Sequence, residues 1–311
     1  MLVFPFFVVR PDGSSLYSLR DAVYAVQKIN AHDLSVNVVG GEQCLAQEKV
    51  LITSHMLTQG ESQGEESKKG RLCHFPYGLV KLTSGKMSGR RGRYVLADDL
   101  LDDLEERVLG IMTPRWIKED TDEEKKQKVE VIAKQIASAA LKIALLNNTP
   151  VMRYEQTQAP FILYNVTRIN TVLKKAADNE ALKQAVEEKV TPSDNILDGD
   201  DGAWGLFLTF VASLPSSIKM AAMPANTLKT ASESAVLSPS LPDFGTHIVC
   251  DQLANFAASF SSLYKRVRFL PSDFGESNLS DCLGWMKFLE VVKKCAETCL
   301  EVLAIDIPEF M

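Results

Sequence analysis

The first nine residues are apolar apart from Pro5, and then Arg10-Pro11-Asp12-Gly13 turns the chain. A run apolar on nearly every position predicts a strand over Val3–Val9 buried on both faces, as in a parallel sheet covered by helices. Leu19, Val23 and Val26 recur at helical spacing, with Ser18 as the expected N-cap and Asp21 as its capping-box acid. Leu34 to Val39 alternates and is rich in β-branched residues, which predicts a strand closed by Gly40-Gly41, and Cys44 to Leu57 predicts a helix. Leu79-Val80-Lys81-Leu82 and Tyr94-Val95-Leu96 are expected as two further short strands, and Asp98-Asp99 as a helix start. Alternation of strand and helix predicts α/β structure with a parallel sheet.

From Thr113-Pro114 the pattern changes, and the charged run Lys118 to Lys128 is expected as a linker or the start of an exposed helix. Val129, Ile132, Ile136, Ala140 and Ile143 predict an amphipathic helix, stopped at Asn147-Asn148-Thr149-Pro150. Pro160 to Ala177 opens on proline and carries lysines near its end, as a helix dipole prefers. Helices follow over Asn179–Val190, Trp204–Leu214, His247–Leu270 and Leu283–Ala304, with short helices and loops expected across Ser216–Pro242. Helices without strands predict a bundle. The expected fold class is therefore α/β, then all-α, with one domain over residues 1–112 and a second over 113–311.

Composition narrows the function classes. At 311 residues there is room for about two domains. A net charge of −6 gives no global nucleic-acid signal, so an RNA partner needs a local basic surface. The six cysteines show no CxxC pair, and with four histidines no zinc-ligand spacing appears, so no tightly bound metal is expected. Cys295 and Cys299, four apart on a helix, are expected as core residues. No uninterrupted apolar run is long enough to cross a membrane and no signal-peptide pattern opens the chain, so neither a membrane association nor an export route is expected. The compartment is expected to be reducing: cytoplasm or an organelle interior.

The densest local chemistry is Lys86-Met87-Ser88-Gly89-Arg90-Arg91-Gly92. Three cations and a hydroxyl between glycines suit a loop that grips a polyphosphate, since lysine and arginine bring charge and donors and glycine lets the backbone approach. This run resembles the KMSKS-type loop of class I aminoacyl-tRNA synthetases, in the form typical of arginyl-tRNA synthetases. DGSSLYSLRDAVYAVQK, VVGGEQCLAQEKV and HFPYGLVKL are similar to the family's segments around it. In the second half, APFILYNVTRINTVLKKA, ANFAASFSSLYKRVRFL and LEVLAIDIPEFM resemble the family's DALR anticodon-binding domain, the last against a terminal pattern LxxLGIxxPExM.

The resemblance implies the C-terminal half of a class I Rossmann-type catalytic domain followed by a helical anticodon-binding domain. It implies ATP as substrate, with Mg2+ accompanying it, and arginine and tRNA-Arg as partners of a monomer. Lys86, Ser88, Arg90 and Arg91 would act on ATP, with Arg90 or Arg91 replacing the second lysine of KMSKS, where Gly89 stands. Tyr17, Asp21 and Gln43 would hold arginine. A carboxylate and an aromatic group four residues apart share one helix face and suit a guanidinium. Tyr164, Thr167, Arg168, Tyr264, Lys265, Arg266 and Met311 would touch tRNA, since unstacked bases need flat or apolar surfaces and arginine beside an aromatic takes phosphate.

Two departures matter. Ala46 stands where the family has a histidine, and no His-x-Gly-His signature, the second half of a class I ATP site, occurs in these residues. The isolated chain is therefore expected not to activate arginine. The alternative class is a non-catalytic tRNA-binding adaptor, for example for a tRNA-modifying methyltransferase.

Overall fold

The computed structural model describes residues 6–61, 70–78, 94–117, 123–147, 158–198, 200–230, 245–271 and 278–311. The chain divides into two compact units, one of residues 1–80, 149–151 and 222–245, the other of 81–148, 152–221 and 246–311.

In the first unit a tight turn comes first. Arg10 N–H donates to the Ser14 carbonyl at 2.8 Å, and Asp12 accepts from the Ser14 amide at 2.9 Å and hydroxyl at 2.7 Å. Gly13 takes φ +81°, the conformation the Pro-Asp-Gly sequence calls for. The turn folds Val8 back onto Leu16, whose N–H donates to the Val8 carbonyl at 2.9 Å, and Val9 forms an isolated antiparallel bridge with Ser15. The described part of the expected first strand is thus paired locally and does not enter the sheet. Because the turn fixes the chain as far as Leu16, α1 (Tyr17–Ala31) starts earlier than expected. Extended Leu16 is its N-cap, with no side-chain cap bond, so the Ser18–Asp21 capping box does not form.

β1 (Leu34–Gly40) and β2 (Arg71–Tyr77) pair in parallel, with Asn37 opposite His74 and Gly40 opposite Tyr77. Between them lie a single 3-10 turn, Gly41–Gln43, and α2 (Cys44–Glu61). Ala22, Ala25 and Ile29 of α1, Val50 and Leu51 of α2, and Leu72 of β2 form one buried cluster. Leu72 shares its face with Ser35, Asn37 and His74, so this is the face that the helices cover. Leu34, Val36 and Val38 point the other way and are 40%, 42% and 62% exposed. The expected strand Leu79–Leu82 lies outside the described residues.

The second unit is helical. Tyr94–Leu96 is not a strand: it leads directly into α3 (Ala97–Trp116), with extended Leu96 as N-cap and its carbonyl accepting from Leu100 at 3.2 Å. Thr113-Pro114 does not end this helix. Pro114 falls in its last turn, so the one i→i−4 bond it removes, to the Gly110 carbonyl, lies near the helix end. α4 (Glu123–Leu146), α5 (Ala159–Asp178), α6 (Glu180–Glu187), α7 (Asp201–Leu206), α8 (Leu214–Thr230), α9 (Thr246–Arg266) and α10 (Leu279–Val302) follow.

Ile162, Leu163, Val166 and Ile169 of α5 and Leu253, Phe256, Phe260 and Leu263 of α9 are fully buried, with Leu289, Val292 and Cys299 of α10. Each such side chain contributes about 1.5–3 kcal/mol of burial. Between α7 and α8, Phe207–Ala212 forms a π-helix. Its wider turn keeps Leu206, Phe210 and Leu214 in line toward the core. Asp201–Ala222 is the one described run long and apolar enough by composition to span a membrane, and those three buried residues belong to it.

The C-terminal tail is fixed by a Schellman turn. Ala304 N–H donates to the Glu301 carbonyl and Ile305 N–H to the Leu300 carbonyl, both at 2.9 Å, and Ala304 takes φ +54°. Ala304 occupies the place of the glycine in LxxLGIxxPExM, so a residue with a Cβ stands where the turn favours none.

Candidate nucleic-acid interface

In the helical unit, α5 brings Tyr164 and Arg168 to one face one turn apart, and the last turn of α9 brings Tyr264 to the same place. The Arg168 guanidinium carbon lies 4.4 Å from the Tyr164 ring centroid and 4.3 Å from the Tyr264 ring centroid. An Nη2 hydrogen of Arg168 is also donated to the Tyr164 hydroxyl. The guanidinium thus bridges two tyrosines from different helices, a cation–π arrangement in which the positive plane meets the negative ring faces. All three side chains are half-buried.

The tyrosines are set in a firm frame. Tyr264 contacts Phe260 at 5.9 Å and Phe269 at 5.8 Å between centroids. Phe269 lies beyond the end of α9, where the Val267 amide still donates to the Leu263 carbonyl at 3.0 Å and turns the chain back. Phe269 in turn meets Trp285 of α10 edge-on at 5.5 Å. Phe269 was not singled out by the sequence reading, because the helix pattern ran on past the real end of α9.

Thr167 is buried, and its hydroxyl donates to the Tyr164 carbonyl at 3.0 Å. It supports the helix turn beneath the tyrosine and offers nothing to the surface. Lys265 is exposed. Arg266 makes an ion pair with Asp200 at 3.1 Å. Asp200 is also the N-cap of α7, accepting from the Gly202 amide at 2.7 Å and the Ala203 amide at 3.0 Å. Gly202 makes room for this, since a Cβ there would stand 1.8 Å from Arg266 Nη2. A pocket of about 690 Å³ opens beside the pair, lined by Asp200, Arg268, Asn195, Asp281 and Trp285 among others. Met311 is half-buried and packs against the bundle core next to Phe310, whose ring lies 4.6 Å from Trp116.

In the first unit, α1 joins β1 through His32 and Asp33 alone, so it runs back along the sheet. The Ile29 carbonyl accepts from Gly70, next to the start of β2, at 2.9 Å, and Lys28 Nζ donates to Asn37 Oδ1 at 2.7 Å. The first turn of α1, with Tyr17 and Asp21, therefore lies toward the end at which both strands finish. Gln43 sits in the 3-10 turn at that end, and the neighbouring Gly41 lies close against the Tyr77 carbonyl. Tyr17 is 79% exposed, and Asp21 and Gln43 are also exposed. Open parallel sheets take ligands outside the carboxyl ends of their strands. Lys86, Ser88, Arg90 and Arg91 lie outside the described residues.

Beneath the helices the sheet carries a polar chain. Lys28 reaches Asn37, and Asn37 Nδ2 donates to Gln47 Oε1 at 3.3 Å. His74 faces the same layer, 2% exposed, and neither ring nitrogen makes a hydrogen bond. Burial lowers its pKa to about 4; the Gln47 backbone opposes this in part, and the charge of Lys28 adds a smaller push downward. Among the described residues no three His, Cys, Asp or Glu side chains gather in a way that would hold a metal ion.

The comparisons with known proteins agree on the class. Residues 162–311 match the DALR anticodon binding domain family. The arginine–tRNA ligase of Methanopyrus kandleri is 26% identical over 98% of this chain and 45% of its own length, and that of Ignicoccus hospitalis is 31% identical over 56% of this chain and 28% of its own. The arginyl-tRNA synthetase of Plasmodium falciparum superimposes over 100% of this chain and 47% of its own, at 14% identity and a TM-score of 0.63, which establishes the shared fold.

The bundle is similar, over residues 162–311, to a DALR anticodon binding domain. The chain as a whole corresponds to the C-terminal portion of arginyl-tRNA synthetases, in fold and in sequence. It spans about half, or less, of the length of the relatives it matches.

Proposed function

We propose that the helical unit binds tRNA-Arg through its anticodon loop, and that the chain supplies the C-terminal part of an arginine–tRNA ligase. The observation that carries this is the Tyr164–Arg168–Tyr264 cluster, lying within residues that match an anticodon-binding family. Two half-exposed aromatic faces and an arginine with no carboxylate partner among the described residues are what an unstacked RNA loop requires: planes for bases and a charge for phosphate. Lys265 and Arg266 extend the positive surface, which lets a chain of net charge −6 attract RNA locally. Met311 adds apolar surface on the same reading.

Residues 1–112 serve arginine and ATP. Asp21 would take the arginine guanidinium with Tyr17 beside it, Gln43 would lie near the amino acid, and Lys86, Ser88, Arg90 and Arg91 would hold the phosphates of ATP, which Mg2+ accompanies. In the full reaction the arginine carboxylate attacks the α-phosphate and pyrophosphate leaves. The arginyl group then passes to the terminal adenosine of tRNA and AMP leaves. Lys86 and an arginine of the loop would stabilise the charge growing on pyrophosphate.

Filter binding of tRNA-Arg, run with ATP–pyrophosphate exchange on the same 311 residues, tests both halves. Binding without exchange is the expected result, and it leaves a tRNA-binding adaptor as the activity of these residues alone. Absence of tRNA binding at low salt would overturn the reading.

A further inference from the structure

We propose that Tyr164 and Tyr264 form a slot for one nucleobase and that Arg168 is its placeholder. In the unliganded protein the guanidinium covers both tyrosine faces. On binding, a single unpaired base takes that position and the guanidinium turns outward to the adjoining phosphate. The inference rests on the tRNA-binding reading above and adds how the site opens.

Three observations carry it. First, the guanidinium carbon is 4.4 and 4.3 Å from the two ring centroids, so the faces on which a base would stack are already taken. A base and a guanidinium are both flat, and either can meet an aromatic face. Second, the walls and the occupant differ in freedom. Tyr264 is wedged by Phe260 and Phe269 at 5.9 and 5.8 Å, and Tyr164 stands on a turn closed by Thr167. Arg168 is half-buried on a long, many-rotamer side chain, with its cation–π contacts and the Tyr164 hydroxyl as its described partners. Third, no described carboxylate pairs with Arg168, in contrast to Arg266, which is held by Asp200 at 3.1 Å. Displacement therefore breaks no ion pair among the described residues and frees a cation where a phosphate arrives.

The probe is a synthetic anticodon stem-loop of an arginine tRNA, added to the full chain labelled with 13C and 15N in arginine. The Arg168 δ-methylene signal, assigned by its loss in Arg168→Lys, is expected upfield in the free protein because both rings shield it. It should move to the position of solvent-exposed arginines as the stem-loop saturates the protein, with saturation followed independently by fluorescence anisotropy. Arg168→Ala is expected to bind with a salt slope shallower by about 0.7, one phosphate contact on a single strand. Binding that leaves the Arg168 signal upfield overturns the exchange while sparing the tRNA reading. No binding in the anisotropy measurement overturns both.

Discussion

The Arg168 guanidinium carbon sits 4.3 Å from the Tyr264 ring centroid and ties α5 to the end of α9. Neither residue is conspicuous alone: an arginine inside an amphipathic helix and a tyrosine before a basic helix end are both common. Their meeting, with Tyr164 on the other contact, converts two ordinary helix faces into one surface with aromatic planes and a cation between them.

Tyr264→Ala should weaken stem-loop binding by about 1–3 kcal/mol, roughly fivefold to 150-fold in Kd, by removing one stacking face. Tyr264→Phe keeps the ring and should stay within about threefold on the same principle of sequence-tolerant stacking. Titration by anisotropy at fixed salt checks this; equal losses in both variants would mean that the hydroxyl, not the ring, is what binds.

Asp200 joins two tasks, capping α7 and holding Arg266. Loss of the cap in Asp200→Ala should cost about 1–2 kcal/mol of stability. Asp200→Asn retains an accepting oxygen and loses only a partly exposed ion pair, so its effect should be about 1 kcal/mol or less. Urea unfolding of the two variants separates cap from charge.

His74 makes stability depend on pH. Its pKa, near 6.5 when unfolded, is held at about 4 in the fold, so between those values the unfolded chain binds the extra proton. The stabilisation is fully present above pH 6.5 and is lost as pH falls toward 4, by up to about 3 kcal/mol. The difference between urea midpoints at pH 7 and pH 4.5 should shrink in His74→Phe, and an unchanged pH dependence would show that the ring is not the titrating group.

Ala304 holds a left-handed conformation at φ +54° in the turn after α10. Ala304→Gly should stabilise the chain by about 0.5–1 kcal/mol, the strain relieved exceeding the chain entropy added. A higher midpoint in thermal unfolding checks it.

The thiols give a test of packing. Burial raises Cys250 and Cys299 to about 12, so neither should react with iodoacetamide at pH 8 until the chain unfolds. Mass spectrometry of the native and urea-treated protein reads this directly.

What the sequence revealed, and what it concealed, follows from the range of the forces involved. Helix faces with apolar residues three and four apart, such as Val129 to Ile143, were legible because burial of one stripe suffices to define them. Leu34 to Val39 was legible as a strand, but the residue pattern did not mark its parallel partner Arg71–Tyr77 and set no register. The start of α1 was missed because a bond from Leu16 back to Val8 overrode the local preference of Ser18. Tyr94–Leu96 looked extended and is extended, but strand status needs a partner, and a partner is not a local property. Among the site residues, Tyr164, Arg168 and Tyr264 were named from sequence, yet their mutual contact depends on how α5 packs against α9. Thr167 was named with them, and only the structure shows its side chain turned into the core.

The side of β1 that carries Leu34, Val36 and Val38 favours association in bulk solution. Leu34, Val36 and Val38 leave a ladder of aliphatic side chains facing water on a strand of a two-stranded sheet. Surfaces of that kind set colloidal behaviour: they make association rise with concentration and with kosmotropic salt. Storage at low protein concentration, away from ammonium sulfate, is therefore the regime in which the helices of the second unit can be measured without interference from association through β1.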